Sequence, residues 1–358
     1  MDSKLVQGML LGTCLCLLLA TAITLAHYGV YSEYVGLEPG APVARGAEGR
    51  PVAEDVDLLK FAPPGTVGYL AVDVQAILAS PLGQKLLEDP EAEVPDEVKQ
   101  LGQVVLFFGA PTADEPPATC GLVKVTGKTA AEIAEKLAEV GTKTTVEGMD
   151  AYVMQEPFSA VLAVVDDSTV LGGSSEDELA KIIQVYQGGT PASSVSEMQQ
   201  MGAAFAGDMV KGCVLITDEM KALPPEEEMP AWSLGAKGAG FGVSLRAGLE
   251  LKGMLRLGSG DDASQAASDA QVKITEAKTW VQQFGQSPAG QGLDVQAAIS
   301  LIDKVKVSAD GADVNIAIEL TEDDLGTLQE FAMSMVGMMM GGMMEAPGMA
   351  APPGFGAP

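Results

Sequence analysis

Side chains able to do chemistry are few in this chain and badly placed for it. The single histidine, His27, directly follows an uncharged apolar run, so no imidazole is available as a base inside a folded domain and Ser–His or Cys–His catalysis is excluded. No serine sits in a Gly-x-Ser-x-Gly turn. Carboxylates stand together at Glu226-Glu-Glu228, Asp261-Asp262 and Asp323-Asp324, and such pairs can hold calcium or act as acid and base. None has the spaced oxygen ligands of a calcium loop. They read as solvated turns and helix starts, with Asp324 in a capping position. The glycine-rich stretch 235–242 lacks a preceding strand, a Lys-Ser or Lys-Thr pair and a following helix, so it reads as a loop leading into a strand rather than a phosphate cradle. No catalytic, cofactor-binding or metal-ligating residue is expected, and no cofactor.

Two further groups bear on binding. Cys14 and Cys16 lie in the apolar run, whereas Cys120 and Cys213 each sit in a strand-like segment. The latter two can be joined in one disulfide or buried separately as thiols. Near the C-terminus, Met333, Met335, Met338, Met339, Met340, Met343, Met344 and Met349 crowd into seventeen residues. Thioethers are soft and adaptable, so Met338, Met339, Met340, Met343 and Met344 offer a partner surface, with Cu(I) uptake or a fraying helix end as the other readings.

The elements that position these groups begin with a membrane segment. Residues 5–26, from Leu5 to Ala26, carry no charge, follow Lys4 and precede His27, Tyr28, Tyr31 and Tyr34. Twenty-two residues at about 1.5 Å each span a hydrocarbon core of roughly 30 Å, and the tyrosines suit its interface. A cleaved signal peptide is the competing reading. With residues 1–4 cytoplasmic, the rest lies in the periplasm or outside the cell.

That remainder carries the whole net charge of −28. Such a surface repels phosphate backbones, which excludes nucleic acid as a partner. Residues 27–57 read as a flexible Pro/Gly/Ala linker. Two α+β units with antiparallel sheets are expected at 58–190 and 197–340, each running strand, strand, helix, strands, capped helix, which suggests duplication. A Gly/Ser/Pro-rich boundary at 188–196 separates them, and 341–358 reads as a disordered tail. Helix caps are placed at Thr129-x-x-Glu132, Ser175-x-x-Glu178 and Thr321-x-x-Asp324. Ala270, Ile274, Ala277, Val281 and Phe284 form the seam of a helix stopped by Gly285. Asp310-Gly311 signals a hairpin.

At Pro64-Gly-Thr-Val-Gly-Tyr-Leu-Ala-Val-Asp73 with Ser80-Pro-Leu-Gly83, and at Val164-Val-Asp-Asp-Ser-Thr-Val-Leu-Gly-Gly-Ser-Ser-Glu-Asp-Glu-Leu179, the chain resembles exported, membrane-anchored proteins of unknown function of the planctomycete type. The resemblance covers about the first half and implies location rather than activity. The expectation is a non-enzymatic envelope protein, an acidic binding or scaffolding ectodomain on a tether. The alternatives are a carrier of an apolar ligand or lipid and a carboxylate-based hydrolase.

Overall fold

The computed structural model describes residues 58–81, 83–84, 96–110, 117–154, 160–221, 231–246, 248–286 and 294–328. The membrane segment, the linker, Glu226-Glu-Glu228 and the Met-rich tail lie outside them. Mixed helix and antiparallel sheet, the α+β class expected, is what the chain forms. Its strands are β1 (Thr66–Asp73), β2 (Leu101–Gly109), β3 (Thr119–Val125), β4 (Gly141–Val146), β5 (Met149–Met154), β6 (Ala160–Asp166), β7 (Thr169–Gly173), β8 (Val210–Leu215), β9 (Gly238–Ser244), β10 (Leu249–Arg256), β11 (Lys306–Asp310) and β12 (Asp313–Leu320). All twelve join one sheet in the order β11-β12-β10-β9-β8-β1-β2-β3-β7-β6-β5-β4.

Local sequence explains the elements. Side-chain caps start the helices α1 (Val74–Ala79), α2 (Ala130–Val140), α3 (Glu176–Tyr186) and α6 (Val295–Asp303): Asp73 accepts from the Ala76 N–H, Thr129 and Glu132 form a reciprocal box, Ser175 accepts from the Glu178 N–H, and Asp294 from that of Ala297. Each satisfies a backbone donor that the first helical turn leaves open. Ser259 does the same for the Asp262 N–H at the start of α5 (Gly260–Gln286). Glu147 and Gly148, at φ 50° and 76°, close the β4–β5 hairpin between Val146 and Met149, the conformation of a type I′ turn. Gly311, at φ 56°, opens the two-residue turn between Asp310 and Asp313 that the Asp-Gly pair signalled.

The strand order repeats outward from the middle. β1-β2-β3-β7-β6 on one side matches β8-β9-β10-β12-β11 on the other, with β5 and β4 extending the first. β1 pairs with β8, Tyr69 opposite Cys213, so the sheet is continuous across the 188–196 segment. Caps recur at matching places: Asp73 and Thr217 after the first strands, Thr129 and Ser259 after the third, Ser175 and Thr321 after the strands that return to it.

One face, here the front, carries the main core. Tyr69, Val105, Phe107, Cys120, Leu122 and Leu171 are buried there beneath Leu179, Ile182 and Ile183 of α3 and Met198 and Met201 of α4 (Val195–Gly202). One sequence expectation is corrected at this face: of the glycine-rich stretch 235–242 read as a loop, residues 238–242 belong to strand β9. A Cβ on Gly238 would stand 2.8 Å from the Met201 sulfur, and one on Gly240 2.6 Å from the Phe205 ring. Alternate glycines on one face of β9 thus let α4 and the turn after it lie directly on the sheet.

Candidate binding face

Register fixes which residues share each face. The pairings Cys213–Tyr69, Tyr69–Phe107 and Phe107–Cys120 put both cysteines in one front-face row, three strands apart. At about 4.8 Å per strand they are roughly 14 Å from each other, beyond the ~7 Å Cα separation a disulfide tolerates. Both thiols are free and buried, which corrects the disulfide reading of Cys120 and Cys213. Burial pushes each up to about 12, so neither is a ready thiolate.

The carboxylate pairs within the described residues serve as helix starts. Asp262 accepts from Ser259 Oγ, and Asp261 lies in the first turn of α5. Asp324 accepts from Lys304 at 2.6 Å and from the Thr321 hydroxyl and N–H. The Lys304 hydrogen bond first, then those from Thr321, brings its carboxyl down to about 2. Among the described residues no three of His, Cys, Asp and Glu gather to hold a metal, and no helix is long and apolar enough to cross a membrane.

One charged cluster that the sequence did not signal lies on the front, at the end of β8 to β10. Asp208 is buried, with Oδ1 3.1 Å from Lys252 Nζ and Oδ2 without a hydrogen-bond partner. Lys252 also reaches Glu250 at 3.2 Å. Burial raises the Asp208 carboxyl above its ordinary range, outweighing the Lys252 ammonium that lowers it. A Cβ on Gly242 would stand 2.1 Å from Oδ2, so only glycine leaves room for this carboxylate.

The back of the sheet is different in kind. Helix α5 covers it at one end, where Ala263, Ala266 and Ala267 pack with Leu257 and Val314. Helix α2 packs against β4, β5 and β6 near the other end, where the back-face Tyr152 is buried. Between them lie β10, β9, β8, β1, β2, β3 and β7, and the first six of these are about 24 Å wide at ~4.8 Å per spacing. The back-face positions of those six strands include Leu70, Leu106, Val123, Val214, Phe241 and Leu251, and none of the six strands' back-face positions carries a charge. Those six side chains are half-buried and belong to neither packed core. The result is a trough with an apolar floor and a helix along each side.

Helix α5 also departs from its predicted seam. Only Ala263, Ala266 and Ala267, in its first third, are buried. At about 1.5 Å per residue its 27 residues run ~40 Å, far past the five-residue β11 it packs on. The later seam is half-exposed or, at Ala277, exposed, and α6 packs beside it. On the outer side an open hollow of about 460 Å³ is lined by Val272, Thr275, Thr279 and Trp280 among others, and Trp280 stacks on Phe284 at 5.1 Å.

No family model and no curated protein matches this chain. Similar solved structures are crystal forms of the treponemal protein TP0453. Crystal form I is 12% identical over 77% of this chain and 98% of that one, with a TM-score of 0.40. Form III is 14% identical over 78% and 99%, with a TM-score of 0.42. Form IV is 12% identical over 79% and 98%, at 0.40. Likeness at this level establishes neither a shared fold nor a shared function.

Proposed function

We propose that this chain is a non-catalytic binding or scaffolding protein of the cell envelope, tethered through residues 5–26, whose working surface is the apolar back face of the sheet. The observation that carries the reading is the absence of charge from the back-face positions of six adjacent strands in a chain of net charge −28. Monomeric proteins rarely leave so wide an apolar surface without a partner. A floor bounded by helices suits an occupant inserted between them rather than a second flat sheet, because sheets stack at about 10 Å and a helix needs the same height. The resemblance to exported, anchored proteins and the tyrosine-flanked apolar run support the location.

The same proposal takes the two halves as copies of one unit, each built on a three-stranded meander, a capped helix on the back and a returning hairpin. The matched order and the three matched caps support it.

The test is photo-cross-linking in the native membrane, with p-benzoylphenylalanine in place of Val123. An adduct with another protein, well above that from the exposed Lys136 position, is the expected outcome. An adduct consisting of lipid would turn the reading to a carrier, and labelling equal to that from position 136 would overturn the binding face.

A further inference from the structure

We propose that β11 is the edge through which two copies of this chain associate: their β11 strands pair antiparallel about a two-fold axis at Ser308 and join two twelve-stranded sheets into one. This goes beyond the reading of the back face and holds whatever occupies that face.

Among the described residues, β11 and β4 each have a single strand neighbour, so each presents open backbone groups along its outer side. In β11 the turn fixes which groups these are. Asp310 and Asp313 flank a two-residue turn, so they exchange both hydrogen bonds, and the pattern alternates from there. Ser308 and Lys306 also bond inward to β12, while the N–H and C=O of Val307 and Ala309 point outward. The N–H of Val305 is already taken by the Ile302 carbonyl. Ser308, Ala309 and Asp310 are exposed.

One antiparallel register of two β11 strands uses all of these open groups. It sets Val307 of each copy opposite Ala309 of the other, which allows both residues to exchange both hydrogen bonds, and it sets Ser308 opposite itself. The same register puts Lys306 of each copy opposite Asp310 of the other. These are positions without backbone bonds, where Cα atoms approach to about 4.5 Å and side chains lie closest. Backbone bonding alone selects this register, and the charges independently match it.

The monomer leaves both charges ready for such a partner. Asp310 stands opposite Asp313 in its own hairpin, a like-charge pair that costs stability, and Arg256 is engaged with Asp313 through two hydrogen bonds. Lys306 reaches Glu319 at 3.1 Å, but the two side chains are 67% and 62% exposed, so water leaves that contact weak and exchangeable. The other edge lacks this match. β4 carries Lys143 and no acid, so two copies of it bring like charges together. A five-residue ladder buries well under the ~1,000 Å² of a strong interface, which makes the β11 dimer reversible.

The test captures it covalently. Ser308→Cys is made in the full chain with Cys14→Ser and Cys16→Ser, and the protein is mildly oxidised in its native membrane. Facing Cα atoms about 4.5 Å apart suit a disulfide. The expected product is a dimer linked from position 308 to position 308 by mass spectrometry, at least fivefold more abundant than that from Lys136→Cys on the exposed face of α2. Asp310→Lys is expected to lower its yield at least fivefold with the far-UV circular dichroism unchanged, and Lys306→Asp added to Asp310→Lys is expected to restore it. A yield at 308 no higher than at 136, a disulfide to a different protein, insensitivity to Asp310→Lys, or failure of the double exchange to restore the dimer would overturn the proposal.

Discussion

Lys252→Met isolates the energetics of the buried carboxylate at the end of β8 to β10. The change keeps the apolar stem and removes the ammonium that stands 3.1 Å from Asp208 Oδ1, leaving a buried carboxylate whose Oδ2 already has no partner. Removing one member of a fully buried pair costs about 3–5 kcal/mol. Lys252 is 31% exposed, so water already weakens the pair, and Lys211 still lowers the Asp208 carboxyl. We therefore expect a loss of about 2 kcal/mol at pH 7.5, or roughly 4–8 °C in Tm for a protein of this size. The pH dependence has a definite sign. A carboxyl whose folded pKa is raised above 3.8 by burial imposes its cost above the folded value, and the cost is relieved as pH falls through it. Losing Lys252 raises that value further, so the gap between variant and parent narrows toward pH 4.5. Urea unfolding followed by circular dichroism at both pH values measures this, and Asp208→Asn provides the control background in which Lys252→Met costs under about 0.5 kcal/mol. Equal losses at the two pH values, or the same loss in the Asn background, would refute the account.

Gly240→Val drives a branched side chain into Phe205, whose ring lies 2.6 Å from the Cβ position; overpacking of this kind costs about 1–3 kcal/mol, and unchanged urea stability would show that α4 does not depend on the bare strand. Glu147→Asn places an Asn-Gly pair in the turn where Glu147 holds φ 50°; a gain of about 0.5–1 kcal/mol is expected from relieving the left-handed strain, despite losing the exposed Gln184 contact at 3.0 Å, and a loss in the same unfolding assay would count against it. At Asp166, burial opposes ionisation, yet hydrogen bonds from Tyr186, at 2.5 Å, and from Ser168 prevail and bring the carboxyl to about 2. Its contribution is therefore present above 3.8 and lost as pH falls toward 2, and Tyr186→Phe should raise the carboxyl midpoint seen by NMR titration. Cys120 and Cys213, both free, buried and pushed up to about 12, should resist maleimide at pH 7.5 until urea opens the fold; a disulfide, or rapid labelling of the folded chain, would contradict the register.

Features set within one turn or one strand were legible in the sequence. The caps at Thr129, Ser175 and Thr321 and the Asp310-Gly311 hairpin depend on residues at most four apart, and each formed where its pattern lay. Features set by distant neighbours were not. Residues 235–242 looked like a loop because their glycines are absent from no loop composition, and only the arrival of Phe205 and Met201 from another element makes bare positions useful in a strand. The seam from Ala270 to Phe284 has proper helical spacing, but spacing cannot tell a helix that meets the sheet from one that overshoots it to meet α6. Asp208 gives no local sign of burial. The trough is the extreme case, since its floor comes from six strands, of which only adjacent pairs in sequence could have been aligned by pattern.

The matched halves make the difference between their faces informative. In the first half, the helix after the returning strand, α3, buries Leu179, Ile182 and Ile183 against the front. In the second, the matching front is occupied by Arg256–Asp313 and Lys306–Glu319, and Thr321 starts its helix beside Lys304 instead. A helix that kept the first half's side would have to bury those ion pairs, whose desolvation exceeds their attraction when water is excluded. Charge on one face of β10 to β12 thus selects the other for any apolar chain that follows. Among the described residues, the uncharged back face from β10 to β3 spans five strand spacings, roughly 24 Å.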